Sequence, residues 1–195
     1  MPCIRMANVK GSAITARIRF VRERFGEAEL RRLKDSLSET SRGLLDGRVL
    51  PHAWVPFDLF VELNLAVDRT FGTGDLSMCR EMGRYSAAVN LPTLYRIFYR
   101  LGSPSFILRK AAKVWRVHYD SGELRVLDPD LDGPEERATL EIAAFETPHR
   151  AHCQSVLGWA ERSVELSGGT VIHAREETCR TEGHDTCRLA VRWRA

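Results

Sequence analysis

The feature that most constrains the fold of this chain is a change of hydrophobic period near Val114. Before this point, apolar residues recur at steps of three and four, as on helices that bury one face. After it, apolar and polar residues alternate as in strands, apart from one long helical stretch over residues 149–166. This order predicts an α+β fold, in which an N-terminal helical layer packs on an antiparallel sheet of about four to five strands, with a long helix before the last hairpin.

The element pattern predicts one domain, which a length of 195 residues allows. We expect a leader over residues 1–11 and an α+β ligand-binding-type domain over residues 12–195, with a mainly helical part (12–113) and a part with the sheet (114–195). The principal helices are predicted over residues 12–25, 56–71, 75–89, 93–101 and 149–166. Strands are predicted over residues 114–119, 124–127, 138–145, 170–174 and 188–193.

Two helical faces have unusual composition. Gly83, Ser86, Ala87 and Ala88 form a face of small residues, which favours a tight helix–helix contact within the protomer or across a dimer. The first helix carries several arginines, which we interpret as a solvated face rather than a phosphate-binding surface; these are Arg17, Arg19, Arg22 and Arg24.

Composition excludes several classes of protein. The net charge is only +3, and arginines are interleaved with acidic residues, so a nucleic-acid partner is not expected. No apolar run approaches the roughly 18 residues of a membrane span, and no secretory signal is visible. We therefore expect a cytoplasmic protein, in which the five cysteines favour metal binding or free thiols over disulfides.

Four residues near the C-terminus have the spacing Cys-x22-Glu-x2-Cys-x7-Cys; they are Cys153, Glu176, Cys179 and Cys187. Three of them belong to the predicted final hairpin, and Cys153 lies in the first turns of the long helix. Packing of this helix across the end of the sheet would bring all four together. Three thiolates and a carboxylate suit a closed, structural zinc site. The alternative is three ordinary buried cysteines without a metal.

The run Glu-x2-Cys-x3-Gly-x3-Cys, which ends at Cys187, resembles the signature that ends the vinyl-4-reductase-type small-molecule-binding domain. That domain occurs in bacteriochlorophyll biosynthesis accessory proteins and as the sensor of phenol- and xylene-responsive transcription activators. Its wider superfamily includes heme–nitric-oxide sensors and the TRAPP subunits of vesicle tethering. The resemblance covers mainly residues 114–194, and it implies a structural zinc ion bound by Cys153, Glu176, Cys179 and Cys187.

The sequence also departs from the sensor activators. It contains no Gly-x4-Gly-Lys-Ser/Thr loop of an ATPase, so a complete activator of that kind is not expected. We find no match to the His and Trp residues that hold phenol in those sensors, and phenol as the ligand is not implied.

A ligand pocket is expected between the helical layer and the sheet, with apolar walls and a few polar groups. Its candidate lining residues are Trp54, Phe57, Phe60, Tyr95, Phe98, Tyr99, Trp115 and His118. Each of them can equally be a core residue, and His118 can be a core histidine with satisfied hydrogen bonds. No axial heme ligand stands out among the six histidines.

No catalytic motif is present, neither a Gly-x-Ser-x-Gly elbow nor a His-Glu-x2-His pair. We therefore expect a non-catalytic small-molecule-sensing or regulatory interaction module with a structural zinc site. We expect it to form a homodimer through its apolar helices and to bind a hydrophobic small molecule or a protein partner. The alternatives are a tetrapyrrole-related enzyme accessory or reductase-like protein, and a TRAPP-like protein-binding scaffold.

Overall fold

The computed structural model describes residues 7–89, 103–130 and 135–194. The helices are α1 Gly11–Phe25, α2 Glu27–Asp35, α3 Glu39–Asp46, α4 Phe57–Phe71, α5 Ser77–Val89, α6 Pro104–Arg109, α7 Ala111–His118 and α8 Arg150–Leu166. The strands are β1 Asn8–Lys10, β2 Trp54–Pro56, β3 Glu123–Asp130, β4 Glu136–Ala143, β5 Thr170–Thr178 and β6 Cys187–Arg194, with a 3-10 turn at Arg180–Glu182. Strands β1 and β2 form a two-stranded ribbon, and the other four form an antiparallel sheet in the order β3-β4-β6-β5. This α+β architecture confirms the predicted fold class.

The sheet packs its apolar face against α8. Alternation along β6 places Cys187, Leu189, Val191 and Trp193 on one face, and each of them is 1% exposed or less. Strand β6 pairs with both β4 and β5, and its Leu189 lies opposite the equally buried Leu140 of β4. The predicted apolar face of the last strand is therefore confirmed, and it is the surface on which the long helix lies.

Helices α5 and α8 pack with their backbones in direct contact. A Cβ atom added at Gly83 of α5 would lie 2.0 Å from the carbonyl oxygen of Ser155, and one added at Gly158 of α8 would lie 2.0 Å from that of Arg80. Because no side chain larger than hydrogen fits at either position, the two helices approach much more closely than helices normally do. The tight contact predicted from the small residues of α5 is confirmed, and it lies within the chain.

One predicted strand is wrong. Residues 114–118 continue a helix that ends at His118, because the amide of Val114 donates to the carbonyl of Lys110 at 3.1 Å and that of Tyr119 donates to the carbonyl of Trp115 at 2.8 Å. Ala111 and Trp115 are four residues apart and both are buried, which is the spacing of a helix face. An alternation over six residues is too short to distinguish the strand period of two from the helical period of 3.6. The hairpin partner of β3 is β4.

A short ribbon was not predicted at all. Strand β1 lies inside the expected leader, and its Val9 pairs with Val55 of β2 and is fully buried. Strands of three residues leave too little alternation to be recognised in a sequence. The helix predicted over residues 93–101 lies outside the described residues, and the domain boundaries stay a prediction. In the described part of the chain, no helix is long and apolar enough to cross a membrane.

Candidate functional site

A cavity of about 620 Å³ lies among the helices, and we call it the central cavity. Its walls come from α1, α5, α6, α7 and α8, and Leu124 contributes the edge of β3. The tight crossing of α5 and α8 forms part of the wall, through Gly83, Ser86 and Ser155. The volume falls within the usual range of small-molecule sites, about 300–1,000 Å³.

Arg17 of α1 is the charged group buried in this wall. It is 3% exposed, and its guanidinium donates to the side chains of Asn64, Ser86 and Ser155 and to the carbonyl of Ala13. It also lies over the ring of Phe60, with Cζ 4.4 Å from the ring centroid. Burial lowers the pKa of Arg17 to about 10, so that the side chain still carries its charge at neutral pH.

The sequence interpretation of Arg17 as part of a solvated face is wrong, whereas Arg19, Arg22 and Arg24 are exposed as predicted. A signal was available, because Arg17 lies three residues after Ile14 and four before Val21, both buried on the apolar stripe of α1. An arginine on that stripe points to a buried polar partner or ligand. Ser86 and Ser155 were also missed as site residues, since a serine in a small-residue face is equally a packing residue.

His118, at the end of α7, also lines the central cavity. Its Nδ1 lies 3.0 Å from the carbonyl oxygen of Val114. A carbonyl cannot donate, so Nδ1 carries the proton, and Nε2 is left with a free lone pair. Burial lowers the pKa of His118, although its hydrogen bond to Val114 opposes the shift. The imidazole is therefore neutral at pH 7 and able to bind a metal through Nε2.

A cluster of aromatic rings forms the wall between the cavity and the core. His152 of α8 is fully buried at its centre, with ring centroids 4.8–5.8 Å from its own; these rings belong to Phe57, Phe60, Trp115, Tyr119 and Phe145. Trp115 and Tyr119 face the cavity as well. Trp115 is held in place by a hydrogen bond of 3.1 Å from its Nε1 to the carbonyl of Ser121.

The structure separates the residues expected to line a pocket. Trp115 and His118 line the central cavity. Phe57 and Phe60 are buried in the aromatic cluster behind its wall, and Trp54 is 44% exposed on β2, beneath the Lys10 ammonium. Tyr95, Phe98 and Tyr99 lie outside the described residues. The role of this set as a ligand pocket stays a prediction.

Three of the four expected metal ligands meet at the end of the sheet. The sulfur atoms of Cys153, Cys179 and Cys187 lie within 4.8 Å of one another and all three residues are buried. The contacts with the other two sulfur atoms, together with burial, raise the pKa of Cys153, and the contact with Cys153 lowers the pKa of Cys179 to about 6. The cysteines come from α8, from the position just before the 3-10 turn and from β6, and packing of the helix on the sheet brings them together.

Glu176 is not part of this thiol cluster. Its Oε2 accepts hydrogen bonds from Nε of Arg150 at 3.1 Å and from Nε2 of Gln154 at 3.0 Å. Its Oε1 is buried and has no hydrogen-bond partner among the described residues. The assignment of these four residues as metal ligands stays a prediction.

No protein-family model and no curated protein matches this chain. Solved structures with the same fold include H-NOX proteins. An H-NOX protein from S. oneidensis in the Fe(II) ligation state has a TM-score of 0.72 and 12% identity, over 95% of this chain and 96% of that one. An Fe(II) unliganded H-NOX protein from K. algicida has a TM-score of 0.72 and 11% identity, over 95% and 97%. An oxygen-binding H-NOX domain related to soluble guanylate cyclases has a TM-score of 0.60 and 17% identity, over 95% and 94%.

These likenesses correct the expected cofactor. Structural zinc was expected, but the structures that share the fold are described by Fe(II), Fe(II)NO and oxygen complexes, and one by the function of heme distortion. The carboxylate that zinc was expected to bind is also paired with Arg150 instead. Zinc is therefore not the cofactor indicated by the fold. Of the expected resemblance, only a fold shared with H-NOX proteins is supported, and no comparison supports the vinyl-4-reductase type. Nearly the whole chain shares the fold of H-NOX proteins.

Proposed function

We propose that this protein is a small-molecule-sensing module that binds heme in the central cavity, where His118 would hold the iron. The observation that carries the proposal is a cavity of about 620 Å³ with a neutral histidine in its wall. The H-NOX structures with the same fold support the choice of heme over other ligands of this size.

The donor chemistry of the cavity fits heme. Axial histidines bind iron as neutral imidazoles, and the second ring nitrogen usually donates to a carbonyl or carboxylate. His118 has this arrangement, because its Nδ1–H donates to the carbonyl of Val114. No cysteine lines the cavity among the described residues, so a thiolate ligand is not supported there.

The surrounding residues would hold the ligand and keep water away from it. Val114, Trp115 and Val156 give the cavity apolar walls, and Trp115 packs against Phe145 and His152 of the neighbouring aromatic cluster. Bound heme supplies an iron that can take up diatomic gases. The contribution of the chain is to orient His118, to keep its Nε2 deprotonated and to enclose the ligand.

The alternative functions are less well supported. An accessory protein for tetrapyrrole synthesis would also use a cavity of this size, but no observation on the described residues favours catalysis over binding. A protein-binding scaffold does not require an open cavity beside a neutral histidine. The homodimer, the protein partner and the cytoplasmic location stay predictions.

The test is heme titration of the purified protein, followed by absorption spectroscopy. We expect one equivalent to bind, with a sharp Soret band that shifts when carbon monoxide is added to the reduced protein. His118→Ala should weaken binding or change the band to that of a different axial ligand. The matched control is His184→Ala, because His184 is exposed and lies after the 3-10 turn, away from the cavity lining.

Two results would contradict the proposal. One is the absence of stoichiometric heme binding by the folded wild-type protein. The other is a His118→Ala variant that binds heme with the same affinity and the same spectrum as the wild type.

A further inference from the structure

We infer that the central cavity selects ligands that carry a carboxylate, and that Arg17 is the residue that pairs with it. The inference rests on the proposed function only in placing the ligand in this cavity. It requires neither iron nor a bond to His118.

The first observation is a buried cation without a counter-charge. Arg17 is 3% exposed, and among the described residues it forms no ion pair with a carboxylate. The ionisable groups that act on it are those of Tyr119 and Cys79. Burial raises the pKa of each of these two groups to about 12, so that both are neutral at pH 7. An unpaired charge in a protein interior is unfavourable unless a group of opposite charge binds to it.

The second observation is that the guanidinium has more N–H donors than the described residues provide acceptors. Arginine has five N–H donors, and the described residues provide four acceptors: Asn64 Oδ1, Ala13 O, Ser86 Oγ and Ser155 Oγ. All four acceptors are uncharged. The two serines line the central cavity together with Arg17, so the guanidinium lies at the cavity wall. A ligand carboxylate there would receive a charge-assisted hydrogen bond.

The third observation is the sign of the charge around the cavity. Lys110 and Lys113 lie at its exposed rim, and no aspartate or glutamate belongs to its described lining. A cleft with one sign of charge and apolar walls concentrates ligands of the opposite sign. Together with the apolar walls, the three cations describe a site for an amphipathic anion.

A purely structural role for Arg17 explains less. The side chain does connect α1 to α4, α5 and α8 through Asn64, Ser86 and Ser155. A neutral amide such as glutamine could donate to two of these side chains without burying a charge. The charge itself is explained by a ligand that neutralises it.

The carboxylate could belong to a porphyrin propionate or to a fatty acid, and two pairs of probes distinguish these sources. The first pair is iron-free protoporphyrin IX and its dimethyl ester. The second is cis-parinaric acid and its methyl ester. Binding to the intact chain is measured by quenching of tryptophan fluorescence, since Trp115 and Trp159 both line the cavity. Because no probe contains iron, the result does not depend on the heme proposal.

We expect the wild-type protein to bind at least one acid about tenfold more tightly than its ester, as for one charged hydrogen bond. Arg17→Met should remove this preference, and Arg17→Lys should keep part of it. Arg22→Met is the matched control, because Arg22 lies on the same helix and is exposed. A preference confined to protoporphyrin identifies the propionate, and one confined to parinaric acid identifies the fatty acid; either supports the inference.

The inference is overturned if neither acid binds, or if each ester binds as tightly as its acid. These comparisons use the wild-type protein, so the inference remains testable if Arg17→Met does not fold. It is also overturned if Arg17→Met folds and keeps the full preference for the acid. Failure of heme to bind through His118 would leave all of these outcomes unchanged.

Discussion

His152 is a buried histidine in an aromatic environment. It lies among five aromatic rings, and its Nε2 has no hydrogen-bond partner among the described residues. Burial lowers the pKa of His152 to about 3, and the positive charge of Arg17 and the neighbouring His149 act in the same direction. The folded protein therefore holds this imidazole neutral under all ordinary conditions, as an aromatic part of the core.

This burial predicts a pH dependence of stability. In the unfolded chain, a histidine has a pKa of about 6.5. Between about pH 6.5 and 3, the imidazole of His152 is therefore protonated in the unfolded state and neutral in the folded state. The contribution of His152 to the free energy of unfolding is therefore fully present above pH 6.5 and is lost as the pH falls, by at most about 1.4 kcal/mol per pH unit. Urea denaturation of His152→Phe should show a flatter curve between pH 6.5 and 4.

The control for this prediction is the exposed His184, whose replacement by phenylalanine should leave the pH dependence unchanged. A residual slope is expected in His152→Phe, because burial lowers the pKa of His118 and of His149 as well. If the slope of His152→Phe equals that of the wild type, His152 is not the group that titrates.

At the scale of elements, the crossing of α5 and α8 is the contact that positions the site. Gly83 and Gly158 bring the two backbones together, and the ion pair of Arg80 with Glu161 joins the helices beside them, with N–O distances of 2.8 and 2.6 Å. The serines that hold Arg17 lie on these same helices. The separation of α5 and α8 therefore sets the positions of Ser86 and Ser155 in the cavity wall.

Gly83→Ala should disrupt this crossing. The added methyl group would lie 2.0 Å from the carbonyl oxygen of Ser155, so the helices must move apart, at a cost of about 1–3 kcal/mol or more of unfolding free energy. The matched control is Gly43→Ala, since Gly43 lies in helix α3 and an added Cβ meets nothing within 4 Å. That change should stabilise the protein by about 0.5–1 kcal/mol. Thermal and urea denaturation of both variants measure the difference, and equal stabilities would contradict the packing.

For individual helices and strands, the residue pattern of the sequence predicted some contacts correctly and failed for one element. The small residues of α5 predicted a close contact, and the apolar residues of β6 predicted its buried face; both features are local in sequence. Residues 114–119 were predicted as a strand because six residues fit both periods. The helix is decided by hydrogen bonds that begin at Lys110 and by the packing of Trp115 into the aromatic cluster.

At the scale of the whole molecule, binding in the central cavity should stabilise the fold. The cavity joins five helices and one strand, so a ligand that fills it contacts elements that must all unfold together. At a free heme concentration of about 100 times the Kd, the stabilisation is about 2.7 kcal/mol. For a domain of this size, the melting temperature should rise by about 5–10 °C.

Differential scanning fluorimetry or circular dichroism measures this shift, with His184→Ala again as the variant that keeps it. His118→Ala should show a smaller shift at the same heme concentration, because its affinity is lower. A wild-type melting temperature that does not change with saturating heme would show that the ligand binds outside the folded core or not at all.

The sequence by itself determined the α+β class, the order of most elements, the buried face of β6 and the convergence of three cysteines. These follow from periodicity and from chain order, which require only that each apolar face be buried. Of the eight residues expected in a pocket, the described structure places only Trp115 and His118 at the central cavity.

Only the tertiary structure decided the burial of Arg17, the pairing of Glu176 with Arg150 and the existence of the cavity itself. The physical reason is that a hydrophobic pattern reports which side of an element is buried and not what it is buried against. A buried cation and its missing counter-charge are properties of the space between elements. That space forms when α1, α5, α7 and α8 pack together.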